Sequence, residues 1–250
     1  MTYSSAVFED GRDSLDEAQA AKYRLMAERA GIRPGDKVLE IGCGWGGFSE
    51  WAAREIGCDV TGLTISDAQC AYARERISRA GLAEKVDIRL QDYRHITGTF
   101  DRIVSIEMFE AVGEKNWPVF FNRLHERLRA GGAGALQVIT IADRFFDRYK
   151  SGADFIQRYI FPGGMLPSMN ALKQEAISAG LKWNGAGKFA DHYARTLELW
   201  RRRFEAAWPE IEPLGFDERF QRMWRYYLAY CEAGFATRRI DVVQVGLSKP

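Results

Sequence analysis

The sequence predicts an α/β fold with a doubly wound, mostly parallel sheet. Three observations support this fold class. Strand and helix patterns alternate from residue 15 to residue 141, a glycine-rich loop joins the first strand to the next helix, and 250 residues suit one large domain. Alternating units of this kind form parallel sheets that bind ligands at the carboxyl ends of their strands. We therefore expect residues 1–250 to form a single domain with a site at that edge.

Local signals set the limits of each element. Ser14 and Ser66 begin capping-box patterns, which predict helices extending to about residues 30 and 80. A Gly131-Gly132 turn is expected before the fifth strand. Strands are predicted at residues 37–41, 59–63, 86–90, 101–105, 134–141 and 240–248, and further helices at 47–56 and 116–128.

Two segments depart from the alternation. Residues 142–170 and 190–235 are rich in aromatic side chains, and helices are predicted within the second segment at 191–207 and 216–234. Both follow the fifth strand. We expect them to be insertions that form a substrate cap over the ligand end of the sheet.

Composition excludes several classes of function. The formal net charge is +1 at pH 7, which gives no electrostatic preference for nucleic acid. No stretch approaches the roughly 20 apolar residues of a membrane span, and the first residues lack the pattern of a signal peptide. The four cysteines form no CxxC pair and the three histidines are far apart in sequence. No metal site is predicted.

The glycine-rich loop after the first strand is the strongest local signal. Gly42, Gly44 and Gly46 permit a tight turn and a close approach of backbone to ligand. Nicotinamide and flavin enzymes share such loops, but they usually place an acid near the end of the second strand, where this sequence has Thr64. The spacing instead resembles the nucleoside loop of S-adenosylmethionine-dependent methyltransferases. Asp92 matches the position at which such enzymes contact the adenine.

A more specific resemblance comes from seven motifs that occur in order along the chain. They are YSSAVF at 3–8, GCGWGG at 42–47, TISDAQ at 64–69, QDYR at 91–94, FDRIVS at 100–105, MFE at 108–110 and YIFPGG at 159–164. Together they resemble the cyclopropane fatty acid synthase and mycolic acid methyltransferase family over essentially the whole chain. The resemblance implies the class I, Rossmann-like methyltransferase fold. It also implies methyl transfer from S-adenosylmethionine to a cis double bond of a lipid acyl chain.

The cofactor residues predicted from the loop and the resemblance lie in the N-terminal segment and after the first three strands. They are Tyr3, Ser4, Gly42, Gly44, Gly46, Thr64, Gln69, Asp92, Tyr93 and Arg94.

The resemblance also implies the base of the reaction. The family removes the proton with a bound bicarbonate, held by a Cys, a Glu, a His, an Ile backbone and a Tyr. The matching residues here are Glu110, Ile139 and Tyr193, whereas Ser5 replaces the Cys and Gln137 replaces the His. Ser and Gln can donate hydrogen bonds to bicarbonate, but Gln lacks the titrating proton of His near neutral pH. The expected product is therefore a cyclopropane, or a methyl- or methylene-branched acyl chain.

Two further side chains are candidates. Glu107 lies three residues before Glu110 and is expected to contact the cofactor or to raise the pKa of Glu110 by like-charge repulsion, unless it is a surface residue. Cys231 matches a late cysteine that is sometimes regarded as catalytic in the family. A thiol among helical aromatics is also typical of a protein core.

The lipid side of the site is predicted from composition and resemblance. Aromatic stretches at 145–146, 155–156, 159–161 and 224–227 are expected to line an acyl tunnel, with ordinary helix packing as the alternative. The run at 201–203 would meet phospholipid headgroups or form a solvated helix face. The resemblance implies a cytoplasmic enzyme, peripheral at the inner membrane face, that acts on unsaturated phospholipid. A homodimer is a further candidate state.

The start of the chain gives one more expectation. Met1 immediately precedes the Tyr3-Ser4 motif, whereas the family usually carries a preceding segment. Chain ends fray unless they are tied down. Tyr3 and Ser5 are therefore expected to be poorly held.

Two other functions remain compatible with the residues. An amine N-methyltransferase on the same scaffold would use the Glu to bind a cationic amine and would need no bicarbonate. A non-catalytic module would bind S-adenosylmethionine or lipid without transferring a methyl group. A methylated lipid, a methylated amine or the absence of any methylated product separates the three hypotheses.

Overall fold

A mixed β-sheet forms the centre of the molecule. The computed structural model describes residues 1–9 and 14–250, and within these ranges seven strands form one sheet. Numbered along the chain, the strands are β1 (Lys37–Ile41), β2 (Asp59–Thr64), β3 (Val86–Leu90), β4 (Phe100–Ile106), β5 (Leu128–Ile141), β6 (Lys182–Lys188) and β7 (Ile240–Ser248). Their order across the sheet is β3-β2-β1-β4-β5-β7-β6. The first five are parallel, and β7 pairs antiparallel with both β5 and β6.

Helices cover both faces of the sheet. They are α1 (Leu15–Ala30), α2 (Gly47–Glu55), α3 (Asp67–Arg79), α4 (Trp117–Arg127), α5 (Asp143–Lys150), α6 (Phe155–Tyr159), α7 (Met169–Ser178), α8 (Ala190–Ala206), α9 (Trp208–Ile211) and α10 (Glu218–Ala236). One apolar cluster packs α1, α2 and α3 on the sheet, and another packs α4 and α7 on it. No helix in the described ranges is long and apolar enough to cross a membrane.

The predicted fold class and most element limits are confirmed. Ser14 accepts a hydrogen bond from the Glu17 amide at 3.3 Å, and Ser66 accepts one from the Gln69 amide at 3.4 Å, so each serine caps its helix. Gly31 ends α1 in the left-handed conformation, with φ of 65°. These ends lie where local chemistry alone places them.

One predicted boundary is wrong. Gly131 and Gly132 do not form a turn before the fifth strand, because β5 already begins at Leu128 and includes both glycines. The Gly131 amide donates to the Lys249 carbonyl and the Lys249 amide donates to the Gly132 carbonyl, which keeps the two glycines at the sheet. The glycines produce an irregularity in the pairing of β4 with β5 rather than a separate turn.

The N-terminal segment is firmly attached, contrary to the expectation for Ser5. Ser5 is 1% exposed, and the amides of the three residues after it all donate hydrogen bonds. The acceptors are the Thr196 hydroxyl at 3.2 Å, the Ala18 carbonyl at 3.0 Å and His192 Nδ1 at 3.0 Å. Residues 5–8 therefore lie between α1 and α8, where tertiary contacts prevent fraying.

The segment after β6 adds a third apolar cluster. Helices α8 and α10 pack on each other and on β7, with Tyr193 stacked on Phe235 at 4.3 Å between ring centroids. Arg201 of α8 also forms an ion pair with Glu232 of α10 at 3.2 Å. This helical pair holds Tyr193 against the end of the sheet.

Candidate active site

The glycine-rich loop turns sharply between β1 and α2. Gly42, Gly44 and Gly46 all have positive φ, at 82°, 52° and 79°. The amides of Gly42 and Cys43 both donate to the Leu63 carbonyl, which fixes the loop to the end of β2. A Cβ atom at Gly42 would lie 2.6 Å from Met108 Cγ. Glycine is therefore required here, because it lets the segment after β4 pack against the loop.

A chain of hydrogen bonds joins the N-terminal segment to the end of β2. The Thr64 hydroxyl donates to Gln69 Oε1 at 2.8 Å, and Gln69 Nε2 donates to the Tyr3 hydroxyl at 3.2 Å. A Cβ atom at Gly44 would lie 3.6 Å from the Tyr3 ring. Four predicted cofactor residues thus lie together, and Tyr3 is held although its side chain is 55% exposed.

The residues after β3 lie beside this group. The Gln91 amide donates to the Thr64 carbonyl at 2.9 Å, so the ends of β2 and β3 are adjacent. Asp92 accepts from the Arg94 amide at 2.8 Å and pairs with its guanidinium at 2.6 Å, and the hydrogen bond from Arg94 lowers the pKa of Asp92. Tyr93 packs edge-on against Phe120 at 5.6 Å. The predicted adenine side is therefore a structured edge, with Asp92 already paired.

A second group lies where β4 ends and β5 continues. β4 ends at Ile106, opposite Gln137, and the Glu107 amide donates the last ladder bond to the Gln137 carbonyl at 2.8 Å. Beyond Gln137, β4 no longer pairs with this edge of β5. The next backbone amide of β5 on this edge therefore needs another acceptor. The Ile139 amide donates to Glu110 Oε1 at 2.5 Å. The strand end thus binds a carboxylate.

Glu107 is the centre of this group. Its Oε1 accepts from the Ser5 amide at 2.8 Å and from Gln137 Nε2 at 2.7 Å, and its Oε2 accepts from the Tyr193 hydroxyl at 2.6 Å. The Gln137 amide is oriented in turn, because its Oε1 accepts from Gln244 Nε2 at 3.0 Å. Glu107 therefore brings together donors from the N-terminal segment, β5 and α8.

The backbone of Glu107 is strained. Its φ of 49° lies in the left-handed region, which costs an L residue roughly 1–2 kcal/mol relative to the right-handed helix region. Among the described residues, Arg238 is the other non-glycine residue with positive φ. Strain of this kind persists where surrounding contacts determine the conformation, and it concentrates at functional sites.

The charges of the site are coupled. Lys22 is fully buried and donates to the Ser4 hydroxyl at 2.7 Å, and burial lowers its pKa to about 7 against the opposing effect of Glu107. Burial also raises the pKa of Glu110 to about 8, and the charge of Glu107 adds to this rise. Glu110 Oε2 is buried and has no hydrogen-bond partner among the described residues. A proton on Glu110 thus fits the arrangement at neutral pH.

A family model described as mycolic acid cyclopropane synthetase matches residues 1–245. The chain is 42% identical over 252 residues to the tuberculostearic acid methyltransferase of Mycobacterium tuberculosis, a match that covers 98% of this chain and 59% of that protein. The chain belongs to the mycolic acid cyclopropane synthetase family.

Two other members of the mycolic acid cyclopropane synthetase family confirm the predicted fold class and the predicted resemblance. The cyclopropane-fatty-acyl-phospholipid synthase of Escherichia coli is 41% identical over 251 residues, covering 100% of this chain and 62% of that enzyme. The crystal structure of a mycolic acid cyclopropane synthase with SAH and CTAB superposes with a TM-score of 0.92 at 31% identity, covering 99% of this chain and 90% of that one. The chain spans about three fifths of the length of the tuberculostearic acid methyltransferase and of the Escherichia coli synthase.

The residues predicted from the cyclopropane synthetase family meet around two carboxylates. Ser5, Gln137 and Tyr193 contact Glu107, whereas the Ile139 amide contacts Glu110. The Ser5 hydroxyl donates to the Ala6 carbonyl, so its backbone amide is the group that reaches the site. Ser4 also departs from a simple cofactor contact, because its hydroxyl and carbonyl accept bonds from Lys22 and Gln19 of α1.

The sequence does not reveal the central role of Glu107, because it is equally compatible with Glu107 as a surface residue. The structure instead makes it the acceptor of three hydrogen bonds. Burial is the main cause of the raised pKa of Glu110, and the charge of Glu107 adds to it, which agrees with one of the two roles predicted for Glu107. Its placement immediately after the buried run of β4 was the available signal, since a carboxylate there needs partners.

Cys231 lies outside this carboxylate group. It is partly buried in the cluster of α8 and α10, and burial raises its pKa to about 12. The thiol is therefore protonated at neutral pH, whereas nucleophilic cysteines have lowered pKa values. This environment favours the core alternative that the sequence left open.

The aromatic stretches divide between core packing and the surface. Phe146 stacks on Trp117 in the core at 6.4 Å. Phe155 and Phe161 instead meet Tyr226 and Tyr227 of α10, at 4.7 and 6.3 Å between ring centroids. The two predicted insertions therefore contact each other through aromatic rings. In the basic run, Arg201 and Arg202 pair with Glu232 and Glu198, which favours a solvated helix face.

Proposed function

We propose that this protein transfers a methyl group from S-adenosylmethionine to the double bond of an unsaturated phospholipid acyl chain, giving a cyclopropane or a methyl- or methylene-branched chain. One observation carries the proposal. The segment that carries both glutamates contacts the glycine loop, because Met108, the residue after Glu107, packs on Gly42. A methyl donor held by the loop would thus lie beside a buried acid–base group.

The loop residues fit a nucleoside methyl donor. Gly42 and Gly44 turn the loop with positive φ, and Tyr3, Gln69 and Thr64 form a hydrogen-bonded wall beside it. These residues, with Tyr93 across the adjacent strand end, would hold S-adenosylmethionine. When bound, the cofactor supplies an electrophilic sulfonium methyl group. The chain's own contribution is to align that methyl with the acceptor and to exclude water, since alignment supplies much of the rate enhancement.

The reaction requires proton removal after methyl transfer. The π electrons of the double bond form the new carbon–carbon bond, and the carbon–sulfur bonding pair stays on sulfur. A positive charge is left on the neighbouring carbon of the acyl chain. Loss of a proton from the new methyl group closes a cyclopropane, and loss from a chain carbon beside the positive charge gives a methyl-branched alkene. A methylene branch forms when a hydride first shifts from the methyl-bearing carbon to the positive centre and the proton is then lost from the methyl group. Aromatic faces such as that of Tyr227 can stabilise the positive charge without capturing it.

Bicarbonate does not fit the donors that were predicted to hold it. Ser5, Gln137 and Tyr193 already donate to the Glu107 carboxylate, and a second anion there would meet that negative charge. The donors present therefore do not fit bicarbonate as the base of this protein.

The proposal extends to the lipid side. Residues 142–170 and 190–235 are assigned as the substrate cap, because aromatic contacts join α6 and the loop after it to α10. Tyr159, Phe161 and Tyr226 are each more than half exposed. The amphipathic rings of the two tyrosines suit the interface between water and lipid, and the apolar ring of Phe161 adds to this surface, which supports action at the inner membrane face.

Methyl transfer can be tested with labelled cofactor. We expect the purified chain to transfer a labelled methyl group from S-adenosylmethionine to vesicles of monounsaturated phospholipid, and to leave saturated phospholipid unlabelled. Mass spectrometry of the acyl chains then separates a cyclopropane from a branched product. Label appearing in an amine substrate instead would favour the N-methyltransferase alternative. Cofactor binding without any transfer would favour the non-catalytic module.

A further inference from the structure

We propose that Glu107 is the catalytic base of this enzyme, and that its carboxylate fills an anion pocket that would otherwise hold a small anion. The inference rests on the proposed methyl transfer to a double bond. It adds a catalytic residue and predicts that the reaction needs no external base.

The donors around Glu107 are those of an anion site. A backbone amide of Ser5, the side-chain amide of Gln137 and the hydroxyl of Tyr193 converge on its two oxygens within 2.8 Å. These donors come from three separate parts of the fold. Such short contacts to an ionised acceptor are typical of charge-assisted hydrogen bonds. The pocket would therefore attract an anion even if residue 107 had no side chain.

Placing this carboxylate in the pocket requires a strained backbone at residue 107. Residue 107 adopts a φ of 49°, which glycine adopts freely and which disfavours other residues. A glycine at this position would leave the pocket empty. Glutamate in the same conformation brings the negative charge into the pocket as part of the chain.

The two carboxylates are not equivalent. Burial raises the pKa of Glu107, but the three hydrogen bonds that it accepts and the charge of Lys22 oppose this rise and favour its ionised form. Glu110 accepts one from the Ile139 amide and has a buried oxygen without a partner among the described residues. A single proton shared by the pair therefore resides on Glu110. Glu107 is left ionised and able to accept a proton.

The chemistry balances with this assignment. The electron pair of the broken C–H bond forms the ring bond or the new π bond of the product. The proton moves to a carboxylate oxygen of Glu107 and is then released to solvent. A carbocation is a very strong acid, so the position of the base, more than its strength, decides which proton is lost. Neither an oxidant nor a reductant is required.

Two variants at position 107 give opposite predictions. E107Q keeps the shape of the side chain but cannot accept the proton, so methyl transfer to lipid falls by at least ~100-fold, the range typical of a lost general base. Bicarbonate does not restore this variant, because the amide still fills the pocket. E107G empties the pocket, relieves the strained φ and loses activity in bicarbonate-free buffer. Added bicarbonate raises its rate by roughly tenfold or more.

Direct binding measurements provide a readout that does not depend on turnover. Carbon-13 NMR of labelled bicarbonate is expected to show a bound signal with E107G and none with the wild-type chain or E107Q. The matched control is R238G, which relieves the other positive φ in an exposed ion pair with Asp191. R238G should retain wild-type methyl transfer and show no bound bicarbonate. Thermal unfolding confirms that each variant is folded.

Opposite results would overturn the inference. Wild-type activity that rises with bicarbonate, bound bicarbonate on the wild-type chain, or an E107Q variant with wild-type rate would each show that Glu107 is not the base. Failure of the proposed function looks different. In that case the wild-type chain methylates no lipid under any condition, and the bicarbonate-binding comparison alone decides whether Glu107 fills an anion pocket.

Discussion

The predicted cofactor site at the ends of β1 and β2 and the carboxylate group at the ends of β4 and β5 are built in different ways. At β1 and β2 the turn of the predicted cofactor site is built from backbone, since Gly42 and Gly44 turn the chain and the amides of Gly42 and Cys43 donate to the Leu63 carbonyl. At β4 and β5 the carboxylate group depends on donors from distant parts of the sequence, the Ser5 amide and the side chains of Gln137 and Tyr193, which converge on Glu107. The cofactor loop therefore depends on the spacing of glycines within a few residues. The carboxylate group depends on tertiary structure, because its donors come together only in the folded chain.

This difference gives the first and largest test, a comparison of two glycines. A Cβ atom at Gly42 would approach Met108 to 2.6 Å, whereas one at Gly35, with nearly the same φ, would meet nothing within 4 Å. G42A should cost about 2–4 kcal/mol of stability from left-handed strain plus overpacking, and G35A about 1 kcal/mol from strain alone. Urea unfolding measures both costs.

Cofactor affinity sharpens the same comparison. G42A should also weaken binding of S-adenosylmethionine in calorimetry, because the loop and the segment after β4 must separate. G35A should bind normally. Equal affinity in the two variants would contradict the assignment of this loop to the cofactor.

The contrast between the two regions explains what the sequence could predict. Glycine spacing, helix caps and strand patterns are local, so the predicted limits of α1 and α3 are accurate to within a residue. Ser5 and Tyr193 are 188 positions apart, and no local pattern shows that both donate to Glu107. The resemblance placed both near a base but assigned that base to bicarbonate. The carboxylate of Glu107 in the same donor set emerged only from the fold.

The second prediction concerns the pH dependence of stability. The pKa of Glu110 is raised from 4.5 to about 8 in the folded chain. Its contribution to stability is therefore fully present below pH 4.5 and is lost as the pH rises through about 8. E110Q keeps an acceptor for the Ile139 amide but cannot ionise. Relative to wild type, it should gain on the order of 3 kcal/mol between pH 5 and pH 8.

Urea unfolding at pH 5, 6.5 and 8 measures this difference. Lys22 and Glu40 also titrate near neutral pH, with pKa values of about 7, but they are present in both proteins. The control is E84Q at an exposed position, which should leave the pH profile unchanged. Parallel profiles for wild type and E110Q would show that Glu110 ionises normally.

The third prediction tests one donor of the carboxylate group. Tyr193 donates to Glu107 at 2.6 Å in the interior, whereas Tyr230 donates to Asp154 at 3.2 Å near the surface. Y193F should cost about 2 kcal/mol of stability, because it removes a buried hydrogen bond to a charged group. Y230F should cost under about 1 kcal/mol, since an exposed bond is replaced by water.

Kinetics add a readout that stability does not give. Y193F should lower kcat for lipid methylation by roughly 10–100-fold while leaving the KM for S-adenosylmethionine nearly unchanged. The loss arises because the base is no longer held by its α8 donor. A change confined to KM would instead place Tyr193 on the cofactor side of the site.

The smallest expected effect concerns the link between the N-terminal segment and the cofactor loop. Gln69 Nε2 donates to the Tyr3 hydroxyl, and Gln69 Oε1 accepts from Thr64. Removing the link with Q69A or with Y3F should weaken S-adenosylmethionine binding by about 1 kcal/mol, or several-fold. Since both changes break the same bond, the double variant should lose little more than either single variant.

Calorimetry of wild type, Q69A, Y3F and the double variant measures the four affinities. S66A is the control, because it removes the α3 cap without touching Tyr3. Fully additive losses would mean that Tyr3 and Gln69 contact the cofactor independently, and the N-terminal segment would then be joined to the site through Ser5 and Glu107 rather than through the loop.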